Sequence, residues 1–190
     1  MSRLFPGPLE LVRMAVRAAV PEGSTVVDAT AGNGHDTMFL ANCVGPGGKV
    51  YAFDIQEQAL ANASARLQEA ALRERVVLIG DGHEKLIEYV RFPVAAVMFN
   101  LGYLPGGDHQ IITGSENTIA ALGQGVEVLQ PGGVISIVIY RGHPGGREEA
   151  GAVERFVEGL DQRFWDVARV DFPNRRNFPP YPVLIQKRGG

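Results

Sequence analysis

Three short strands, at residues 25–28, 49–53 and 76–79, each finish at or within two residues of an aspartate: Asp28, Asp54 and Asp81. Runs rich in β-branched residues with no polar alternation are strands buried on both faces. Helical stretches at residues 36–44 and 56–72 separate them. Strand, helix and strand in repetition specify a parallel sheet with helices on both sides. The carboxyl ends of its strands share one edge, so the three acids gather there. A single acid in such a place is an ordinary helix cap or turn residue. Three at one edge make a ligand site.

The turn after the first strand selects the ligand. Ala29-Thr30-Ala31-Gly32-Asn33-Gly34-His35-Asp36-Thr37 carries a Gly-x-Gly turn that opens a helix, which lets a ligand approach the backbone. A dinucleotide fold places a third glycine near position 37, where this chain has Thr37. Asp28 would repel a pyrophosphate and attract an ammonium or a sulfonium. S-adenosyl-L-methionine fits these features better than NAD. Asp54 lies 22 residues after Gly32 and is expected to accept hydrogen bonds from ribose hydroxyls. Asp81 is expected at the adenine amino group. The expected cofactor residues are Asp28, Ala29, Gly32, Asn33, Gly34, His35, Asp36, Thr37, Asp54, Ile55, Gln56, Asp81, Gly82, His83 and Asn100.

The rest of the chain keeps the same alternation. Residues 8–20 have helical periodicity, with Leu9, Val12, Ala15, Val16 and Ala19 on one face. A short helix at 84–90, a buried strand at 94–99, a helix at 115–129, a strand at 134–140 and a helix at 148–160 follow. Residues 165–171 and 183–186 read as a closing antiparallel pair. No repeat or linker divides residues 1–190, so a single domain is expected. There is no apolar run of the roughly 20 residues that a membrane span needs, and no secretion signal at the start. The lone Cys43 has no partner for an internal disulfide. A cytoplasmic protein without membrane attachment is expected. A net charge of −3 leaves a local basic patch as the only electrostatic route to nucleic acid.

The loop after the fourth strand, Asn100-Leu101-Gly102-Tyr103-Leu104-Pro105-Gly106-Gly107-Asp108-His109, resembles the Asn-Pro-Pro-Tyr loop of amino-methylating enzymes of the class I methyltransferase fold, with both prolines replaced. That resemblance implies that Asn100 accepts a hydrogen bond from the target amine and that Tyr103 packs on the target base, the two residues of the reaction itself. Leu101, Gly102, Asp108 and His109 are then expected to face the acceptor.

Residues 28–37, 51–56 and 100–108, together with Gly142-His143-Pro144 and Gly146, are similar to one bacterial family across nearly the whole chain. It is the family named for rRNA methylases, which includes the Gram-positive tRNA 5-(aminomethyl)-2-thiouridine methyltransferase. The resemblance implies an α/β, Rossmann-like class I fold: a mostly parallel seven-stranded sheet with a C-terminal antiparallel hairpin. It also implies methyl transfer to the aminomethyl group of a wobble uridine, with the tRNA anticodon stem-loop as partner. The chain departs from the family at His109, which stands in place of a lysine, and around Arg175, Arg176 and Pro182.

Arg141 and His143 sit past the fifth strand at the same sheet edge and are expected to touch the RNA or the acceptor. Residues 172–190 contain Arg175, Arg176, Lys187 and Arg188 and no acid, with Phe178 and Tyr181 between them. Basic groups interleaved with aromatics suit phosphate contact and base stacking. The four histidines and one cysteine lack zinc-ligand spacing, so no metal is expected. Two other functions fit the same residues: a class I methyltransferase acting on rRNA or a small molecule, and a non-catalytic S-adenosylmethionine-binding module. A homodimer is compatible with everything above.

Overall fold

The computed structural model describes residues 6–102 and 113–189. Tyr103, Asp108 and His109, three of the residues expected at the acceptor, lie outside them. The elements run α1 (Pro8–Ala19), β1 (Thr25–Asp28), α2 (His35–Val44), β2 (Lys49–Phe53), α3 (Glu57–Glu69), β3 (Val76–Ile79), α4 (Leu86–Tyr89), β4 (Val94–Leu101), α5 (Ser115–Val128), β5 (Leu129–Ile139), α6 (Gly146–Glu158), β6 (Trp165–Arg169) and β7 (Tyr181–Lys187).

The seven strands form one sheet in the order β3-β2-β1-β4-β5-β7-β6, in which β7 runs antiparallel to both of its neighbours. Adjacent strand residues point to opposite faces, so apolar runs bury both. Val27, Phe53, Phe99, Ile135 and Ile137 pack under α4, α5 and α6. Val26, Val50, Met98 and Val138 pack under α1, α2 and α3. This is the expected seven-stranded sheet with its antiparallel end.

Strand order reverses between β1 and β4. From β1 the chain builds outward through β2 and β3, then returns to β4 on the other side. In an open α/β sheet that reversal leaves a crevice at the carboxyl ends of the two strands, at Asp28 and at Asn100-Leu101.

Several boundaries differ from the sequence reading by a residue or two, and three differ by more, each of these for a local reason. Helix α3 stops at Glu69, short of 72. Ala71 takes a left-handed conformation (φ 55°), the Leu72 amide reaches back to the Leu67 carbonyl at 2.8 Å, and Ala71 bonds Gln68 at 3.0 Å. That is a Schellman C-cap with alanine where glycine is usual, sealed by buried Leu67 and Leu72. Strand β5 begins at Leu129, five residues early: Leu129 pairs with Val94 before the ladder resumes at Ala96 and Val134. Pro131-Gly132-Gly133 is therefore a bulge within the strand, with Gly132 at φ +80°. The expected helix at 84–90 is a 3-10 turn, His83–Lys85, followed by the short α4.

Candidate active site

The crevice holds a cavity of about 300 Å³. Its walls come from five chain segments: Ala29, Thr30 and Gly32; Phe53, Asp54, Ile55 and Gln56; Asp81, Gly82, His83 and Glu84; Asn100 and Gly102; and Thr113, Gly114 and Asn117. Most of the expected cofactor residues are here. Thr30, Phe53, Glu84, Thr113, Gly114 and Asn117 were not foreseen. The last three stand at the start of α5, where no motif marks them.

Asp54 ties two loops together. Its Oδ2 accepts the Gly32 amide at 2.8 Å and its Oδ1 accepts the Gln56 amide at 2.9 Å. The β1 and β2 loops are thereby held at a set spacing with the carboxylate on the cavity wall. Asp81 is held by Lys85 at 2.8 Å, by the Tyr89 hydroxyl at 3.0 Å and by the Gly82 amide at 2.9 Å. The Lys85 bond, with that amide, keeps its carboxyl below the ordinary range.

His83 is buried, and its Nδ1 lies 3.0 Å from the Ala29 carbonyl. A carbonyl only accepts, so Nδ1 carries the proton. Burial lowers the ring's pKa, which favours the neutral form. Its Nε2 then holds a lone pair, and that atom has no hydrogen-bond partner among the described residues. The ring stands edge-on to Phe99.

The remaining loop residues brace the site from behind instead of lining it. Asp28 is fully buried; its Oδ2 accepts the Thr37 hydroxyl at 2.6 Å and its Oδ1 the Thr30 amide at 3.2 Å. Burial, and then the neighbouring charge of Asp36, push its pKa up to about 7 in spite of those bonds. Asn33 is held by α3, through Asn62 at 2.9 Å and Arg66 at 2.8 Å. Gly34 sits at φ +80°, and a Cβ there would come within 2.8 Å of Ala63 Cα, so close loop-to-helix packing demands glycine. His35 is exposed on the first turn of α2. Asp28, Asn33, Gly34, His35, Asp36 and Thr37, expected at the cofactor, are absent from the wall among the described residues.

Asn100 is fixed at both ends. Its backbone amide donates to Thr30 Oγ1 at 2.8 Å, and its side-chain Nδ2 donates to Asp36 Oδ2. Arg13 grips the other Asp36 oxygen through Nε at 2.9 Å and Nη2 at 2.6 Å. The Asn100 Oδ1 is buried and has no partner among the described residues. Asn100 is one of the residues that line the cavity, and this oxygen is an acceptor that the fold leaves unused. Leu101 is fully buried in the core, which removes it from the expected substrate surface because alternate strand residues face inward. Gly102 is on the wall, and a Cβ built there would meet His143 Nε2 at 3.8 Å.

His143 leads to a second concavity, lined by Arg141, Gly142, His143, Gly145, Arg147, Glu148 and Phe178. The Arg147 guanidinium lies 4.3 Å from the centre of the Phe178 ring, and Arg175 lies 3.9 Å from that of Phe172. Arg176 is exposed. The other basic and aromatic residues of this end belong to the fold. Tyr181 is buried and donates to Glu154 at 2.9 Å. Lys187 donates to the Leu129 carbonyl at 2.7 Å, and Arg188 pairs with Asp166 at 2.6 Å. The basic tract thus divides into a loop that faces outward and a strand that does not. Among the described residues no three His, Cys, Asp or Glu side chains stand close enough to hold a metal ion. No helix there is long and apolar enough to cross a membrane.

Comparison with known proteins bears on this cleft. The sequence profile of the family described as "Putative rRNA methylase" matches residues 50–186. A chloroplast protein of Arabidopsis thaliana named tRNA (mnm(5)s(2)U34)-methyltransferase is 43% identical over 186 residues, covering 93% of this chain and 67% of that protein. The crystal structure titled rRNA-methylase, qualified there as putative, from Clostridium thermocellum superposes with a TM-score of 0.95 at 48% identity, covering 97% of this chain and all of the other. A Streptococcus mutans protein described as a methyltransferase, solved in complex with SAH, superposes with a TM-score of 0.90 at 38% identity over 97% of this chain and 99% of that one.

Proposed function

The chain belongs to the rRNA-methylase family, and from that premise we propose that it methylates the aminomethyl nitrogen of wobble 5-aminomethyl-2-thiouridine in tRNA. It is an S-adenosylmethionine-dependent methyltransferase, as its relatives are; the choice of acceptor is our reading.

The cleft fits that cofactor. Each Asp54 oxygen takes one backbone donor, and a carboxylate oxygen has room for another. The pair therefore suits the two hydroxyls of a ribose. In this reading Asp81 and Gly82 take the adenine, and Ala29, Thr30 and Gly32, which line the same cavity, take the amino-acid portion. Bound there, S-adenosylmethionine supplies an electrophilic methyl group on a positively charged sulfur.

The acceptor reading rests on one observation: the unpartnered Oδ1 of Asn100. An amine N–H donates to such an oxygen, which leaves the nitrogen lone pair in a set direction. Alignment of this kind is a major source of rate in group transfer. The amine must be neutral to react, although a free aliphatic amine titrates near ~10. A low-dielectric cleft and a neighbouring cation both lower that value. Support for tRNA comes from the name of the chloroplast relative and from the Arg141, His143, Arg147 and Phe178 concavity beside Gly102. Arg175 and Arg176 extend that surface toward an anticodon stem-loop.

The test is to incubate the purified protein and S-adenosylmethionine with tRNA bearing 5-aminomethyl-2-thiouridine, then digest the RNA and weigh its nucleosides. Conversion of that nucleoside to its monomethylated form supports the reading. Methylation of ribosomal RNA or a small amine in its place, or cofactor binding with no turnover on any of them, overturns it.

A further inference from the structure

A carboxylate has no proton to give, so Asp36 dictates how the Asn100 amide is turned. Facing Asp36 Oδ2, the amide must present its Nδ2. Its Oδ1 is then turned away from Asp36, buried and without a partner among the described residues, on a residue that lines the cavity. Asp36 is itself 7% exposed, and a buried charge needs a counterion. Arg13 supplies it with two bonds to the other oxygen, at 2.9 and 2.6 Å, reaching across from α1 to α2. Neither residue is on the cavity wall, and both precede the segment 50–186 that the family profile covers.

We propose that Asp36 and Arg13 are positioning residues that lock the Asn100 amide with its oxygen toward the acceptor, and so select acceptors whose reacting nitrogen carries hydrogen. This rests on the amine reading above for the identity of the acceptor, but not for the orientation of the amide. With the oxygen presented, an amine meets a complementary group. A carboxylate at the same place, such as a 5-carboxymethyl substituent, meets oxygen against oxygen. Were the amide turned over, the preference would reverse. Asn100 by itself carries both options, and the chain removes one of them from behind the wall.

Two variants and two readouts test this. Asp36→Asn offers either a donor or an acceptor to Asn100 and releases the lock. Arg13→Gln removes the counterion from a half-exposed position, so it carries less risk to folding. In Asp36→Asn the NMR signals of the Asn100 side-chain amide, identified by their loss in Asn100→Ala, should shift and exchange with solvent at least about tenfold faster. This arm needs no acceptor and stands even if the tRNA substrate is wrong; failure of wild type to methylate the aminomethyl tRNA defeats only that earlier reading. In the turnover arm, Asp36→Asn should lower kcat roughly 10- to 100-fold, the scale of a small misplacement, while the Kd for S-adenosylmethionine stays within about threefold. Arg13→Gln should do the same more weakly, with Arg13→Lys restoring part of the loss. Asp36→Asn combined with Asn100→Ala should be no slower than Asn100→Ala alone. An unmoved amide signal, additive losses in the double variant, or cofactor affinity falling in step with turnover overturns the proposal.

Discussion

The Thr37 hydroxyl donates to Asp28 Oδ2 at 2.6 Å, joining the first turn of α2 to the end of β1 beneath the glycine loop. A carboxyl so buried holds its proton to about pH 7, against an ordinary value of 3.8. In the unfolded chain it ionises near that ordinary value. Below pH 4 both states are protonated and Asp28 costs nothing. As pH rises from 4 to 7, only the folded state still needs the proton, so stability declines across this window and levels off above it. The full difference is on the order of 4 kcal/mol. Asp28→Asn should lose that component, and chemical denaturation of the two proteins from pH 4 to 8 should give stabilities whose difference changes across the window. Parallel curves would refute the assignment.

Cofactor affinity should depend on Asp54. Asp54→Ala removes a charged acceptor and frees the Gly32 and Gln56 amides. A loss of ~1.5–3 kcal/mol, or roughly ten- to a hundredfold in Kd, is expected by calorimetry. Asp54→Asn keeps one acceptor and should fall between the two.

The acceptor side should respond separately. Asn100→Ala deletes the unused oxygen while leaving Asp54, Asp81 and the glycine loop in place. Turnover should fall by about 2–4 kcal/mol in barrier, the range for removing one preorganised catalytic hydrogen bond. The Kd for S-adenosylmethionine should barely move. Equal losses in both would place Asn100 in the cofactor site alone.

RNA binding should distinguish the two parts of the basic end. Replacing Arg147, Arg175 and Arg176 by alanine should lower the slope of log affinity against log salt by about 0.7–0.9 for each phosphate that is no longer neutralised. Lys187→Ala should leave the slope alone, because that ammonium is held at the Leu129 end of β5, the sheet edge opposite the cleft. Phe178→Ala should weaken binding by ~1–3 kcal/mol if a base stacks there. Salt titrations with an anticodon stem-loop measure all of these.

Buried parallel strands and the acids that follow them are written locally, which is why β1, β2 and β3 were legible to the residue. Asp54, Asp81 and Asn100 could be placed on one edge from the parallel run of the strands alone. What eluded the sequence depends on directions that only packing sets. Asp36 lies one residue from Thr37 on a helix, yet it serves Asn100, 64 residues away. Arg13 reaches it from another helix and belongs to no motif. Tyr181 looked like an RNA-facing aromatic; pairing opposite Ile139 turns it into the core. Leu101 failed in the same way, through strand parity. Ala71 ended α3 without the glycine that usually announces such a cap.

Strand β7 has a consequence for how this chain is made. It lies between β5 and β6, and β6 reaches the sheet only through it. During synthesis, Trp165–Arg169 therefore emerges with nothing to pair with, and the apolar margin of Val134–Ile139 stays open until Tyr181–Lys187 has left the ribosome. An unpaired strand of that composition invites strands from neighbouring molecules. Nascent chains stalled between residues 140 and 180 should accordingly demand chaperones, and a charge placed at Val183 or Ile185 should harm yield in cells far more than its effect on the finished protein's cleft would suggest.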